Sequence, residues 1–131
     1  MIRRAVLADM PELLDFGRAF HAAAGEKWTF SDDGFVGTIG QLIATGYVAI
    51  SDDGFIAGVV VKNPLATDWV IAKEFLWWAK GSGPALLRSF RKWAIAVGAD
   101  EIQYSCPPES RAATLYSRFG RPSEAVYSEY V

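Results

Sequence analysis

A short loop, Lys80-Gly81-Ser82-Gly83-Pro84, stands between an aromatic run and an amphipathic segment. Glycine adopts a positive φ at little cost, so successive backbone N–H groups in such a loop can turn towards one point. A helix that begins directly after the loop adds free N–H groups and the positive end of its dipole. The loop therefore predicts an anion site suited to phosphate or pyrophosphate, with Lys80 at its rim.

An ordinary strand-to-helix turn without a ligand is the alternative interpretation of this loop, because short glycine patterns are common. Two well-known phosphate loops are excluded. The pattern G-x-x-x-x-G-K-S/T is absent because Lys80 precedes the glycines, and G-x-G-x-x-G fails because Leu86 takes its third glycine position. The hypothesis of an anion site thus depends on backbone groups and not on a known nucleotide motif.

The composition limits the other kinds of chemistry. One cysteine, Cys106, and one histidine, His21, are too few for the usual zinc sites and for most Ser-His-Asp or Cys-His sites, so no metal is expected. We interpret His21 as a surface or packing residue and Cys106 as a small buried one, with an acetyl-cysteine route as the alternative for Cys106. The formal net charge of −2 gives no indication of nucleic acid as a partner.

The 131 residues are the size of one domain, and 51% of them are hydrophobic. No run approaches the roughly 18 apolar residues of a membrane span. The N-terminal apolar run is short and is interrupted by Asp9, unlike a signal peptide. The single cysteine excludes an internal disulfide, which fits a reducing compartment. We therefore expect one soluble, cytoplasmic domain over residues 1–131, with no membrane partner.

The hydrophobic pattern predicts the element order β-α-α-β-β-β-α-β-α-β. Asp53-Gly54 predicts an antiparallel hairpin, and the strand–helix–strand crossover over residues 70–106 predicts a parallel pair. We therefore expect an α/β (α+β) fold with a mixed, mostly antiparallel sheet of about six strands covered by helices. The predicted strands are Ile2–Leu7, Tyr47–Ile50, Phe55–Lys62, Val70–Trp78, Glu101–Cys106 and Ala125–Val131. Four helices fill the three longer intervals between them, with two helices in the first interval.

Two motifs carry a resemblance to a known family. Gly81-Ser82-Gly83 and the following Leu86-Leu87 match the later part of a Q/R-x-x-G-x-G/A motif that precedes a leucine-rich helix, with Trp78 at the Gln/Arg position. RAATLYSRFG, residues 111–120, is similar to N-x-x-A-x-x-L-Y-x-x-x-G-F, with Glu109 where Asn is usual and Arg121 where Phe is usual. Together with the element order, they make the chain resemble the Gcn5-related N-acetyltransferase (GNAT) family over nearly its whole length.

The resemblance implies acetyl-coenzyme A as a cosubstrate and direct attack by a primary amine in a ternary complex. The pyrophosphate would lie on N–H groups from Lys80 to Ala85. The pantetheine arm would lie where the strand at Phe75–Trp78 splays from the strand at Ile102–Tyr104. The cofactor-binding residues expected on this basis are Trp77, Trp78, Ala79, Lys80, Gly81, Ser82, Gly83, Pro84, Ala85 and Arg111.

Acetyl transfer needs a neutral amine, a stabilised oxyanion and a leaving thiolate. A lysine-like amine has a pKa of about 10.4, so its deprotonation at neutral pH costs roughly 4.6 kcal/mol, and a nearby carboxylate can help to remove the proton. Glu74 is the candidate base because its apolar neighbours can raise its pKa, and a surface pair with Lys73 is the alternative. Tyr116 matches the family tyrosine, which implies the general acid for the thiolate; a packing tyrosine is the alternative.

The acceptor is not identified by the sequence. The residues that bear on it are an aromatic set, Phe75, Trp77 and Trp78, and an acidic set, Glu26, Asp32 and Asp33. The aromatic set either lines an acceptor pocket or packs in the core. The acidic set either favours a cationic amine or forms a turn and a helix cap.

The leading hypothesis is therefore an acetyl-CoA-dependent N-acetyltransferase. The alternative is a catalytically silent acyl-CoA-binding or protein-interaction domain on the same fold, which Trp78 and Glu109 favour because they depart from the two motifs. The oligomeric state, including a homodimer, is left open.

Overall fold

The computed structural model describes residues 1–107 and 110–131. The strands are β1 (Arg3–Arg4), β2 (Tyr47–Ile50), β3 (Gly54–Asn63), β4 (Ala66–Ala79) and β5 (Glu101–Gln103). The helices are α1 (Met10–Ala24), α2 (Asp32–Thr45), α3 (Gly83–Ala96) and α4 (Arg111–Tyr116), and a 3-10 turn, Leu7–Asp9, leads into α1.

The strands form one sheet in the order β1-β2-β3-β4-β5. All neighbouring pairs are antiparallel except β4 and β5, which are parallel and flank α3. The hairpin predicted at Asp53-Gly54 joins β2 to β3. The predicted mixed α+β fold with one parallel pair is therefore confirmed, with five strands in the described part of the chain instead of about six.

The sheet separates two apolar cores, and the alternation of side chains along β3 supplies both. Phe55 faces a core with Leu13 of α1 and Ile39 of α2, whereas Ile56 faces a core with Leu87 and Phe90 of α3. Each of these side chains is essentially excluded from water. The fold is therefore a three-layer arrangement with α1 and α2 on one face of the sheet and α3 and α4 on the other.

Local signals account for most helix ends. Gly25 has a φ of 65° after α1, and Gly98 has a φ of 81° shortly after α3, a conformation that glycine adopts readily. Ser31 accepts a hydrogen bond from the N–H of Gly34 at 3.0 Å, and Ser110 accepts one from Ala113 at 3.2 Å. These serines therefore cap α2 and α4. None of the helices in the described residues combines the length and apolar character that a bilayer crossing requires.

Three predicted strands differ from the structure. The strand predicted at Ile2–Leu7 is limited to Arg3–Arg4, because Leu7 already belongs to the 3-10 turn that leads into α1. The strand predicted at Ala125–Val131 is wrong, because this segment has no regular secondary structure and its side chains are exposed. The strand predicted at Glu101–Cys106 ends at Gln103. A strand needs a backbone partner as well as a suitable pattern. After Gln103 the chain no longer pairs with β4. Within the described residues, the C-terminal segment does not pair with the other edge of β5 either.

Candidate active site

A bulge in β4 determines where the candidate base lies. Ala57 of β3 pairs with Leu76 and Gly58 pairs with Glu74, so Phe75 is an extra residue in the ladder. A bulge changes the face to which the following side chains point. Glu74 consequently contacts α4 on one face of the sheet, whereas Leu76 packs against the core on the α1–α2 face.

Glu74 and Tyr116, the two predicted catalytic residues, are brought together by this bulge. The Tyr116 hydroxyl donates a hydrogen bond to Oε1 of Glu74 at 2.7 Å. The two residues are only 6% and 9% exposed. Burial raises the pKa of Glu74 to about 7, although the bond from Tyr116 acts in the opposite direction. Burial first, and the Glu74 charge second, raise the pKa of Tyr116 above its ordinary value.

Two further aromatic rings surround this pair. Tyr104 stacks on Tyr116 with a centroid distance of 4.7 Å, and Trp77 lies 5.7 Å from the Tyr116 ring. Trp77 Nε1 and the Tyr104 hydroxyl are buried, and neither has a hydrogen-bond partner among the described residues. Buried polar groups are almost always paired, so two unpaired ones beside the same tyrosine are unusual. They are donors available to a ligand.

The edge of β4 beyond these residues is open on one side. Its pairing with β5 ends at Lys73, opposite Gln103, although β4 continues to Ala79. Between Glu74 and Ala79, β4 therefore has β3 as its only strand partner in the described residues. We call this free edge of β4, residues 74–79, the open edge. Its backbone groups are available for pairing with an extended ligand.

The loop before α3 differs from the prediction in one respect. Neither Gly81 nor Gly83 has a positive φ, and Ser82 between them has φ −82° and ψ 9°. The positive φ that these glycines can adopt is therefore not used here. The N–H groups of Gly81 and Ser82 still converge, since both donate to the carboxylate of Asp53, at 2.8 and 3.3 Å. We call the N–H groups of Gly81 and Ser82, with the Ser82 hydroxyl, the amide cradle.

The other predicted coenzyme residues lie around this loop in different environments. Lys80 and Pro84 are exposed, Ala85 is half-buried, and Arg111 is exposed at the start of α4. Trp78 points to the opposite face and packs on Phe16 of α1 with a centroid distance of 5.9 Å. Its side chain therefore does not face the cradle. Glu109, the departure from the second motif, lies outside the described residues.

A pocket of about 260 Å³ lies on the α1–α2 face beside the bulge. Phe75 lines it, whereas Trp77 and Trp78 do not. None of its lining residues is Asp, Glu, Lys or Arg, and the acidic set is not part of it. Its other aromatic lining residues are Phe20, His21, Trp28, Phe30, Phe35 and Phe55.

His21 holds one wall of this pocket. Its Nε2 lies 2.8 Å from the Trp28 carbonyl oxygen, and its ring packs against Trp28 and Phe30. This is the packing role expected for it. Cys106 is half-buried against the same core as Tyr116. In residues 1–107 and 110–131, no group of His, Cys, Asp and Glu side chains is arranged to hold a metal ion.

Known proteins resemble this chain in fold but not in sequence. No family model matches the sequence. No curated protein matches it either. Among solved structures, a "predicted acetyltransferase" from Clostridium acetobutylicum, solved with acetyl-CoA, superposes with a TM-score of 0.77 over 100% of this chain and 95% of its own, at 11% identity. The chain has the fold of the GNAT superfamily.

Two other solved structures, with different names, also superpose over the whole of this chain, with lower TM-scores. A ribosomal-protein-alanine N-acetyltransferase from Brucella melitensis has a TM-score of 0.67 and 17% identity, over 100% of this chain and 97% of its own. An aminoglycoside acetyltransferase from a soil metagenomic sample, solved with sisomicin, has a TM-score of 0.69 and 16% identity, over 100% and 95%. The GNAT fold predicted from the two motifs is thus confirmed across the whole chain.

Proposed function

We propose that this chain is an acetyl-CoA-dependent N-acetyltransferase that moves the acetyl group to a primary amine by direct attack in a ternary complex. The observation that carries the proposal is the buried Glu74–Tyr116 hydrogen bond of 2.7 Å at the open edge of β4. A buried carboxylate with a pKa of about 7 destabilises the fold at neutral pH. Such groups are concentrated at functional sites.

The residues present fit the coenzyme. The amide cradle already binds a carboxylate, so it can bind an anion such as pyrophosphate. The open edge offers backbone groups to an extended arm, and Trp77 Nε1 and the Tyr104 hydroxyl offer two unpaired donors beside it. Pantetheine is an extended chain with two amides, which pairs naturally with such groups. When bound, acetyl-CoA supplies the thioester carbonyl that the amine attacks.

The hydrogen bond between Glu74 and Tyr116 gives the released proton a path. Glu74, as the carboxylate, accepts the proton that the amine loses as its nitrogen bonds to the acetyl carbon, directly or through one water. Tyr116 then donates its proton to the leaving thiolate and recovers one from Glu74 across their bond. The C–S bond breaks, and both residues return to their starting protonation states. One proton thus moves from amine to thiol with no net change in the protein.

We further propose that the acceptor carries its amine on an apolar or aromatic body, bound in the pocket beside Phe75. The uncharged, aromatic lining favours such a body over a polycation, which needs carboxylate partners. Phe75 is adjacent to Glu74 in sequence, but the Glu74 side chain faces α4 and does not line the pocket. An acceptor held in the pocket would therefore have to extend its amine past the open edge of β4 to reach the candidate base. Sisomicin, bound by the metagenomic enzyme named above, is a polycation and is therefore not the expected acceptor here.

Replacing Phe75 with alanine tests this pocket. Phe75 is 52% exposed, so the folded state should tolerate the change. Phe75→Ala should raise the KM for an aromatic amine about tenfold while kcat changes little, since the lost contact binds acceptor and transition state alike. Trp69→Ala is the matched control, because Trp69 is a 44% exposed aromatic residue on β4 outside the pocket. Equal KM values for wild type and Phe75→Ala would place the acceptor elsewhere.

The alternative, a silent acyl-CoA-binding or interaction domain, is favoured by two observations. Trp78 turns away from the cradle, and Asp53 fills it. Thermal melting with acetyl-CoA and with CoA, followed by thiol release in the presence of a panel of amines, separates the alternatives. An enzyme should melt at a higher temperature with either ligand and release thiol with at least one amine. Stabilisation without thiol release supports the silent domain, and no stabilisation by either ligand contradicts both.

A further inference from the structure

The carboxylate of Asp53, in the hairpin turn between β2 and β3, accepts several hydrogen bonds. It accepts them from the N–H of Gly81 at 2.8 Å and of Ser82 at 3.3 Å, and from the Ser82 hydroxyl. The Ser51 hydroxyl also donates to it, at 3.1 Å. A carboxylate from the β2–β3 turn therefore occupies the donors that precede α3.

The surroundings hold this carboxylate in place and charged. Ser51 is buried, and its hydroxyl lies 2.7 Å from that of Ser82. The Asp53 carbonyl also accepts a bond from the N–H of Lys80 at 3.2 Å. The Ser82 bond, followed by those from Ser51 and from the backbone of Gly81 and Ser82, lowers the pKa of Asp53. The cradle is therefore filled by an anion throughout the physiological pH range.

We propose that Asp53 is an internal competitor of the coenzyme's pyrophosphate, so that coenzyme binding requires its carboxylate to leave the cradle. The inference rests on the proposed function and concerns the free energy of binding at that same site. Two anions cannot share one pair of N–H donors, and their charges repel. The coenzyme must therefore replace each bond that Asp53 gives up, which weakens its apparent affinity.

The structure offers space for this exchange. A groove of about 410 Å³ opens beside the cradle and is lined by Asp52, Asp53, Ser82, Ala85 and the first two residues of the chain. Because Asp53 lines this groove, its carboxylate would have space there on leaving Gly81 and Ser82. The Asp52 side chain is 95% exposed there, and within the described residues its one ion pair is with the N-terminal amine, at 3.5 Å. Since it has no contact with the cradle, Asp52 is a matched control for its neighbour.

The test compares Asp53→Asn with Asp52→Asn by isothermal titration with CoA and with dephospho-CoA. Both variants remove one negative charge from the same turn, but only Asp53→Asn removes the anion from the cradle. Asp53→Asn should bind both ligands about tenfold more tightly than wild type, equivalent to about 1.4 kcal/mol. Asp52→Asn should stay within about twofold. Equal gains for the two ligands identify the pyrophosphate, which they share, as the competing group.

A second variant covers the case in which Asp53→Asn does not fold. Ser51→Ala removes one donor to Asp53 and the contact between the Ser51 and Ser82 hydroxyls, but it keeps the N–H groups and the hydroxyl that form the cradle. It should therefore tighten CoA binding by a smaller factor. Unchanged or weaker binding by folded Asp53→Asn, with wild type still binding CoA, would overturn the inference and leave the proposed function intact. A gain for CoA alone, or an equal gain in Asp52→Asn, would also overturn it. If neither wild type nor any variant binds CoA, the proposed function falls and the inference with it.

Discussion

Replacing Glu74 with glutamine is expected to stabilise the folded protein at alkaline pH while removing most of its activity. Glutamine keeps the shape of the side chain and still accepts the Tyr116 hydrogen bond, but it carries no charge into the buried site. Without a base, kcat/KM at neutral pH should fall about a hundredfold, and it should recover as rising pH deprotonates the amine in solution. A gain in stability combined with a loss of rate is typical of a group retained for function.

The change in stability depends on pH in a defined direction. The pKa of Glu74 is about 7 in the folded protein against an ordinary value of 4.5. At low pH the carboxyl is protonated in both states and contributes nothing. As pH rises from 4.5 to about 7, the Glu74 carboxyl ionises in the unfolded chain before it ionises in the folded protein. The wild type therefore loses stability over this range, until the folded carboxyl also ionises. Urea titrations from about pH 4 to pH 8 should therefore show Glu74→Gln gaining about 2–3 kcal/mol relative to wild type.

Glu101→Gln is the control for this comparison. Hydrogen bonds from Gln103 and Trp69 lower the pKa of Glu101, so its ionised form is the one that the fold favours. Glu101→Gln should therefore gain no stability as pH rises. A constant difference between Glu74→Gln and wild type across the same range would mean that Glu74 is not a buried, charged group. Wild-type activity in Glu74→Gln at neutral pH would remove it as the base.

Tyr116→Phe is expected to lower kcat by about a hundredfold when the leaving group is the coenzyme thiolate. It also removes the hydrogen bond that lowers the pKa of Glu74, so the acidic limb of the rate profile should move to higher pH. An acetyl thioester of an acidic aryl thiol needs no proton to leave. Its turnover should therefore be little affected in Tyr116→Phe and still impaired in Glu74→Gln.

Tyr104→Phe is the matched control, since it deletes the hydroxyl of the ring that stacks on Tyr116. Because that hydroxyl is assigned to coenzyme binding, its loss should raise the KM for acetyl-CoA and leave kcat nearly unchanged. Full turnover of acetyl-CoA by Tyr116→Phe would reduce Tyr116 to a packing residue. Equal losses with both thioesters would show that it acts before the thiolate leaves.

Local sequence signals predicted the parts of the fold that local chemistry determines. The Asp53-Gly54 turn, the glycine after α1 and the start of α3 were all predictable, because each depends on a few adjacent residues. The burial of Glu74 was also indicated, since its neighbours in β4 are apolar. The absence of a C-terminal strand was not indicated, because the apolar and aromatic residues of segment 125–131 say nothing about whether a partner edge is present.

The candidate site contains two residues whose positions no local pattern reveals. Asp53 was interpreted only as part of a turn, yet the pairing of Gly54 with Ala79 brings that turn to the cradle. Tyr104 lies in the predicted strand Glu101–Cys106, but its contact with Tyr116 depends on how α4 packs. Both depend on contacts between distant segments. The alternation of Ile102, Tyr104 and Cys106 in the sequence could have indicated that Tyr104 faces an apolar core, but not that it contacts Tyr116.

A crystal structure of the protein with CoA tests the central claim most directly, namely that the cradle and the open edge together hold the coenzyme. The account predicts pyrophosphate oxygens on the N–H groups of Gly81 and Ser82, with Asp53 moved away and the pantetheine arm along residues 74–79. It also predicts that the thiol lies within hydrogen-bond reach of the Tyr116 hydroxyl. Coenzyme bound at any other position, with Asp53 still in the cradle and the open edge of β4 unoccupied, would contradict it.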